Sequence, residues 1–90
     1  MLTLKLVIYK KKACIYLVGG TKKPITEFNK DSSYVGIANE LYFKLTNLFW
    51  DNCEGIYHKG KLHKIDSSRN LSKNSLAMAK LIEKLIKGEN

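Results

Sequence analysis

Residues 2 to 9 alternate without a break. Leu2, Leu4, Leu6 and Ile8 fall on one side, and Thr3, Lys5, Val7 and Tyr9 on the other. Period two is the geometry of a β-strand with one buried face. Residues 13–18, "ACIYLV", carry the β-branched and aromatic types of a second strand. The intervening "KKK" at 10–12 is short and polar, so a hairpin turn passes through it. "GGTKKP" at 19–24 breaks the strand, and the short alternating run at 25–28, "ITEF", would add a third.

The period then changes. Asp31, Ser32 and Ser33 offer helix N-caps. Beyond them Tyr34, Ile37, Ala38, Leu41, Tyr42, Leu45, Leu48 and Phe49 recur at spacings of three and four. This is an amphipathic helix with Glu40 and Lys44 paired at i,i+4. Phe43 and Trp50 lie off its stripe and would either widen the buried face or mark a contact surface, the first being the commoner outcome. Gly55 restarts the chain, and "IYHKGKLHKI" reads as a hairpin turning at Lys59-Gly60. After the polar loop "DSSRN", a last helix starts at about Leu71 or Ser75 and runs to Lys87. Leu71, Ser75, Met78, Ile82 and Leu85 form its stripe, Leu81 and Ile86 widen it, Glu83 pairs with Lys87, and Gly88 ends it.

The element order is β-β-(β)-α-β-β-α. It predicts an α+β two-layer sandwich: an antiparallel sheet of two hairpins with two helices packed on one face. At 90 residues the chain makes a single domain, 1–90, with a modest core. Its 44% hydrophobic and 27% charged content is that of a globular protein rather than a disordered one. The start has neither the charge order nor the cleavage site of a signal peptide, and no run approaches a membrane span. The expectation is a cytoplasmic protein without membrane contact, its Cys14 and Cys53 free thiols rather than a disulfide.

Candidate chemistry concentrates in "DNCEGIYHKGKLHK", residues 51–64. A turn at Lys59-Gly60 pairs His58 with Lys61, Tyr57 with Leu62 and Ile56 with His63. His58 and His63 then share a face, diagonally about 7 Å apart, within reach of one metal ion. Cys53 would be a third ligand and Cys14 a fourth. Lys59, Lys61 and Lys64 in the same hairpin oppose a dication, and no C-x-x-C or helical H-x-x-x-H is present, so no metal or cofactor is expected. Cys53 with His58 or His63, oriented by Asp51 or Asp66, has the residue types of a thiol nucleophile without a pocket to serve it. Gly19-Gly20 before Thr21-Lys22 lacks the spacing of a phosphate-binding loop.

In element order the chain is similar to ribonuclease H-like folds and to the shorter HicB-type antitoxins. It departs from both. The first strand has Thr3 and Lys5 where the nuclease fold places an acid, and neither the antitoxins' glycine-rich segment before the helix nor their DNA-binding tail is present. No catalytic residues are assigned, and the expected protein is not an enzyme.

Charge changes this picture most. Sixteen basic residues stand against eight acidic ones, a formal net charge of +8, and only Arg69 among them is arginine. Lysine without arginine holds a phosphate backbone but reads base edges poorly. Three clusters are candidates for contact with nucleic acid or another anion: Lys10, Lys11 and Lys12; Lys59, Lys61 and Lys64; and Lys73, Lys80, Lys84 and Lys87, stacked along one side of the last helix. Tyr9, Tyr16 and Tyr57 could stack on unpaired bases. The expected function is a small basic binding protein contacting nucleic acid or a nucleoprotein. The alternative is an inhibitor or accessory protein of the viral or mobile-element kind. It would bind a host protein whose surface is acidic or carries nucleic acid. An exposed edge strand would also permit a homodimer.

Overall fold

The computed structural model describes residues 2–20, 22–45, 53–65 and 71–88. Seven elements follow in chain order: β1 (Leu2–Ile8), β2 (Lys12–Leu17), β3 (Thr26–Asn29), α1 (Tyr34–Leu45), β4 (Cys53–His58), β5 (Lys61–Lys64) and α2 (Leu71–Lys87). The α+β class and the element order follow the sequence pattern, with the short third strand present. The sheet, however, is not purely antiparallel. Its order is β3-β2-β1-β4-β5, and β1 and β4 run parallel. The cause lies in the connections. A tight turn reverses a strand, as at β1–β2 and β4–β5, whereas a chain that returns through a helix re-enters the sheet parallel. Helix α1 is that crossover, carrying the chain from β3 past β2 and β1 to β4.

The β4–β5 hairpin has the register predicted from Lys59-Gly60: His58 opposite Lys61, Tyr57 opposite Leu62, Ile56 opposite His63. Both turn residues have positive φ, 53° at Lys59 and 76° at Gly60, as a two-residue type I′ turn requires. At α1, Ser33 is the cap: its Oγ accepts the Gly36 amide at 3.3 Å, satisfying one of the orphan donors of the first turn.

Alternation decides what each side of the sheet does. Leu4 and Leu6 of β1, Ala13 and Ile15 of β2, Phe28 of β3 and Ile56 of β4 point inward. They join Ile37, Ala38 and Leu41 of α1 and Met78, Ala79, Ile82, Leu85 and Ile86 of α2 in one buried cluster. Each large side chain there contributes about 1.5–3 kcal/mol. The helices thus pack on one face, as their stripes predict. Phe43, off the α1 stripe, is 76% exposed, with its ring edge-on to Tyr42 at 5.7 Å, so it does not widen the core. Trp50, Leu48 and Phe49 lie outside the described residues, as do Asp51, Asp66 and Arg69.

The opposite face presents Thr3, Lys5 and Val7 of β1, Cys14 and Tyr16 of β2, Glu27 of β3, Tyr57 of β4 and Leu62 and Lys64 of β5. No described element crosses it.

Candidate nucleic-acid interface

Strands β1, β3 and β4 point the same way, so their C-terminal ends reach one end of the sheet. Three connections meet there: the β1–β2 turn with Lys10 and Lys11, the β3–α1 connection with Lys30, and the β4–β5 turn with Lys59. Lys12 and Lys61 open the strands that leave those turns. The Lys30 amide donates to the Lys11 carbonyl at 3.3 Å, which locks two of the connections side by side. A shallow depression of about 470 Å³ lies between them, lined by Lys10, Lys11, Asn29, Lys30 and Asp31.

Helix α2 delivers its last turns to the same end. Lys87 interacts electrostatically with Tyr34, the first residue of α1, and Lys84 with His63 of β5. Lys10, Lys11 and Lys12 therefore converge with Lys59 and Lys61, while the second and third clusters each split. Lys84 and Lys87 join the turn end, Lys80 lies one helical turn back, and Lys73, in the first turn of the helix, is about 21 Å along the axis from Lys87. Lys64 closes β5, away from the turn.

The charges at this end are unequal. Lys12 Nζ binds Glu27 at 2.8 Å and Lys87 Nζ binds Glu83 at 2.6 Å. These hydrogen bonds raise the pKa of both lysines and offset their charge toward an outside anion. Lys10, Lys11, Lys61 and Lys84 are exposed and form no salt bridge among the described residues. Lysines not held in an ion pair add most to the field felt by a polyanion.

The open face has a second arrangement. Lys5 sits opposite Tyr16 on β2 and opposite Tyr57 on β4. A tyrosine, a lysine and a tyrosine thus stand in one row across three adjacent strands, the two tyrosine backbones about 10 Å apart. The Tyr16 hydroxyl is hydrogen-bonded to Tyr9, and this contact, with burial, pushes its pKa up to about 12. Tyr9 holds the Lys12 ammonium 5.8 Å from its ring centre, a cation–π distance. Two depressions flank Lys5. One of about 430 Å³ is lined by Lys5, Val7, Tyr16, Leu17, Val18 and Gly19. The other, about 310 Å³, is lined by Lys5, Val18, Tyr57, His58, Lys59 and Gly60, so it opens toward the turn end. Lys5 and Lys30 are not conspicuous in the sequence because neither belongs to a lysine run. The alternation of β1 put Lys5 on the polar side, but only the strand order makes it central.

His58 and His63 do share a face, the one toward the helices. The His58 Nδ1–H donates to the Leu6 carbonyl at 3.2 Å. Burial lowers the His63 pKa, and the nearby Lys61, His58 and Lys84 lower it further. The cysteines do not join the histidines. Cys53 is five residues before His58 on the same strand, about 16 Å away, and Cys14 faces the opposite side of the sheet beside Val7. Burial raises both thiol pKa values, the reverse of what a thiolate nucleophile needs. Among the described residues no three His, Cys, Asp or Glu side chains are grouped to hold a metal ion, and no helix is long and apolar enough to cross a membrane. No protein-family model matches the chain, and neither a curated protein nor a solved structure matches it at a significant level.

Proposed function

We propose that this is a small non-enzymatic protein that binds nucleic acid, alone or within a nucleoprotein, and that its lysine-rich turn end tracks the phosphate backbone. The observation that carries the reading is the convergence of Lys10, Lys11, Lys59 and Lys61, from two hairpins far apart in sequence, on one end of the sheet. Scattered lysines would only solubilise the fold. Lysines gathered at one end give a field that attracts a polyanion and releases its counterions on contact. Lysine in place of arginine favours backbone contact over base reading, so binding should be salt-sensitive and nearly independent of sequence.

The test is fluorescence anisotropy with short labelled oligonucleotides at low salt, repeated as salt is raised. Lys10→Ala, Lys11→Ala, Lys59→Ala and Lys61→Ala together should weaken binding. They should also flatten the slope of log K against log salt by about 0.7–0.9 for each phosphate left without its lysine. Lys22→Ala with Lys23→Ala, in the β2–β3 connection at the other end, should change little. No binding at about 50 mM salt, or an equal loss in the control pair, refutes the reading. Retention of a host protein that survives nuclease treatment, with no oligonucleotide binding, would point to the inhibitor or accessory role instead.

A further inference from the structure

The turn end explains attraction to phosphate but leaves the row Tyr16–Lys5–Tyr57 without a use. That row is central, lies on the uncovered face, and runs into the lysine-rich end through the depression shared by Tyr57, Lys59 and Gly60. Tyr57 is 38% exposed and the neighbouring Val18 48% exposed.

We propose that this face binds single-stranded nucleic acid, with unpaired bases stacking on Tyr16 and Tyr57 and the phosphate that joins them lying over Lys5. The inference rests on the nucleic-acid reading above and adds the substrate class. Three observations favour this occupant. Lys5 is exposed and forms no salt bridge among the described residues, and the strand register sets it between Tyr16 and Tyr57, so its ammonium is open to a phosphate there. A base has a flat apolar face and its neighbour phosphate a negative charge, and the row alternates the complementary groups in that order. The depressions on either side of Lys5, about 430 and 310 Å³, are within the range of small-ligand sites. A duplex hides its bases and could use only the lysine. A second copy of the chain docked on this face about a two-fold axis through Lys5 would set the two ammonium groups against each other, where like charges repel.

The test uses the whole chain and labelled strands of equal length: a thymidine DNA strand, a uridine RNA strand, an abasic strand of the same charge, and a duplex. The base-containing strands should bind more tightly than the abasic strand, by about 5- to 150-fold for each stacked base. Tyr16→Leu and Tyr57→Leu should bring them down to the abasic level, while Tyr16→Phe and Tyr57→Phe keep the selectivity, since phenylalanine retains the ring. Thermal melts of the Leu and Phe variants separate loss of the fold from loss of the ring. Lys10→Ala with Lys11→Ala should weaken every strand by the same factor. The ratio of the DNA to the RNA arm identifies the natural strand.

Binding of the abasic strand and the duplex as tightly as the single strands overturns the stacking inference and leaves the phosphate reading standing. So does unchanged selectivity in both Leu variants, or an equal loss in the Phe variants. A dimer in sedimentation that Tyr57→Leu dissociates would assign the face to self-association, which also overturns it. No binding of any strand at low salt refutes the phosphate reading itself, and this inference with it.

Discussion

Gly55→Ala tests the sheet at the tightest of the described glycines. Gly55 stands on β4 opposite both Thr3 of β1 and Lys64 of β5. A Cβ there would lie 3.0 Å from the His63 carbonyl carbon and 3.0 Å from the Lys64 Cα, and closer still to the His63 carbonyl oxygen. All three atoms are backbone, so no rotamer change makes room, and β5 has to move. Gly55 is not among the residues with positive φ, so alanine can adopt its backbone conformation. In the unfolded chain alanine has fewer states to lose, which by itself would stabilise the fold by about 0.4–1 kcal/mol. Overpacking costs about 1–3 kcal/mol, and displacing the edge strand sacrifices hydrogen bonds worth about 1 kcal/mol each.

The expected balance is a loss of about 1–2 kcal/mol, a large share of the roughly 5–13 kcal/mol available to a domain of this size. At about 4–8 °C per kcal/mol the melting temperature should fall by roughly 5–15 °C. Denaturant titration and thermal melts measure the amount. Amide exchange locates it: protection should be lost along β4–β5 and kept along β1–β2. The sign decides the reasoning. If Gly55→Ala raises the melting temperature, chain entropy wins, and the close approach of β5 to β4 is not what holds a glycine at this position.

Three further outcomes follow from other places in the fold. Lys59 adopts φ 53° without being glycine, a conformation that asparagine tolerates better; Lys59→Asn should raise stability by about 0.5–1 kcal/mol while weakening oligonucleotide binding, and a fall in both would contradict the assignment of the turn. The His63 pKa is lowered by burial and by Lys61, His58 and Lys84, so on acidification the unfolded chain takes up this proton first. The stability due to neutral His63 is therefore complete above about pH 6.5 and is lost as pH falls through the folded-state pKa. His63→Gln should flatten that part of the stability profile, and identical slopes would rule the effect out. Cys14 and Cys53 are both buried with raised thiol pKa values; a thiol reagent at mild alkaline pH should label the native chain slowly and both sites at once in urea, and a fast native equivalent would show that one thiol is accessible.

Local pattern carried most of the elements. The alternation at 2–9 and the three-and-four spacing after Ser33 each depend on neighbours within a few residues, and β1 and α1 appear where those patterns begin. The register of β4–β5 was also legible, because a two-residue turn at Lys59-Gly60 fixes every pair beyond it. The pairing of β1 with β4 was not. Nothing in Leu2–Ile8 or Cys53–His58 distinguishes a parallel from an antiparallel neighbour. The choice belongs to the path of α1 between them, which periodicity does not encode.

The same non-local choice governs the candidate site. The lysines at 10–12 and 59–64 are conspicuous in the sequence, yet their separation in space is set by the direction of β4 against β1. Were β4 antiparallel to β1, the Lys59-Gly60 turn would leave the sheet at the end opposite Lys10 and Lys11, a strand length of about 20 Å away. Lys5 would keep its place opposite Tyr16, but Tyr57 would face a different residue of β1. The parallel pairing gathers the two turns and also places Lys5 between two tyrosines. One topological feature, the helical crossover from β3 to β4, thus sets both the phosphate-facing end and the base-facing row. Substitutions that loosen α1 against the sheet, such as Leu41→Ala, would disturb both readouts together, whereas surface substitutions at either site would separate them.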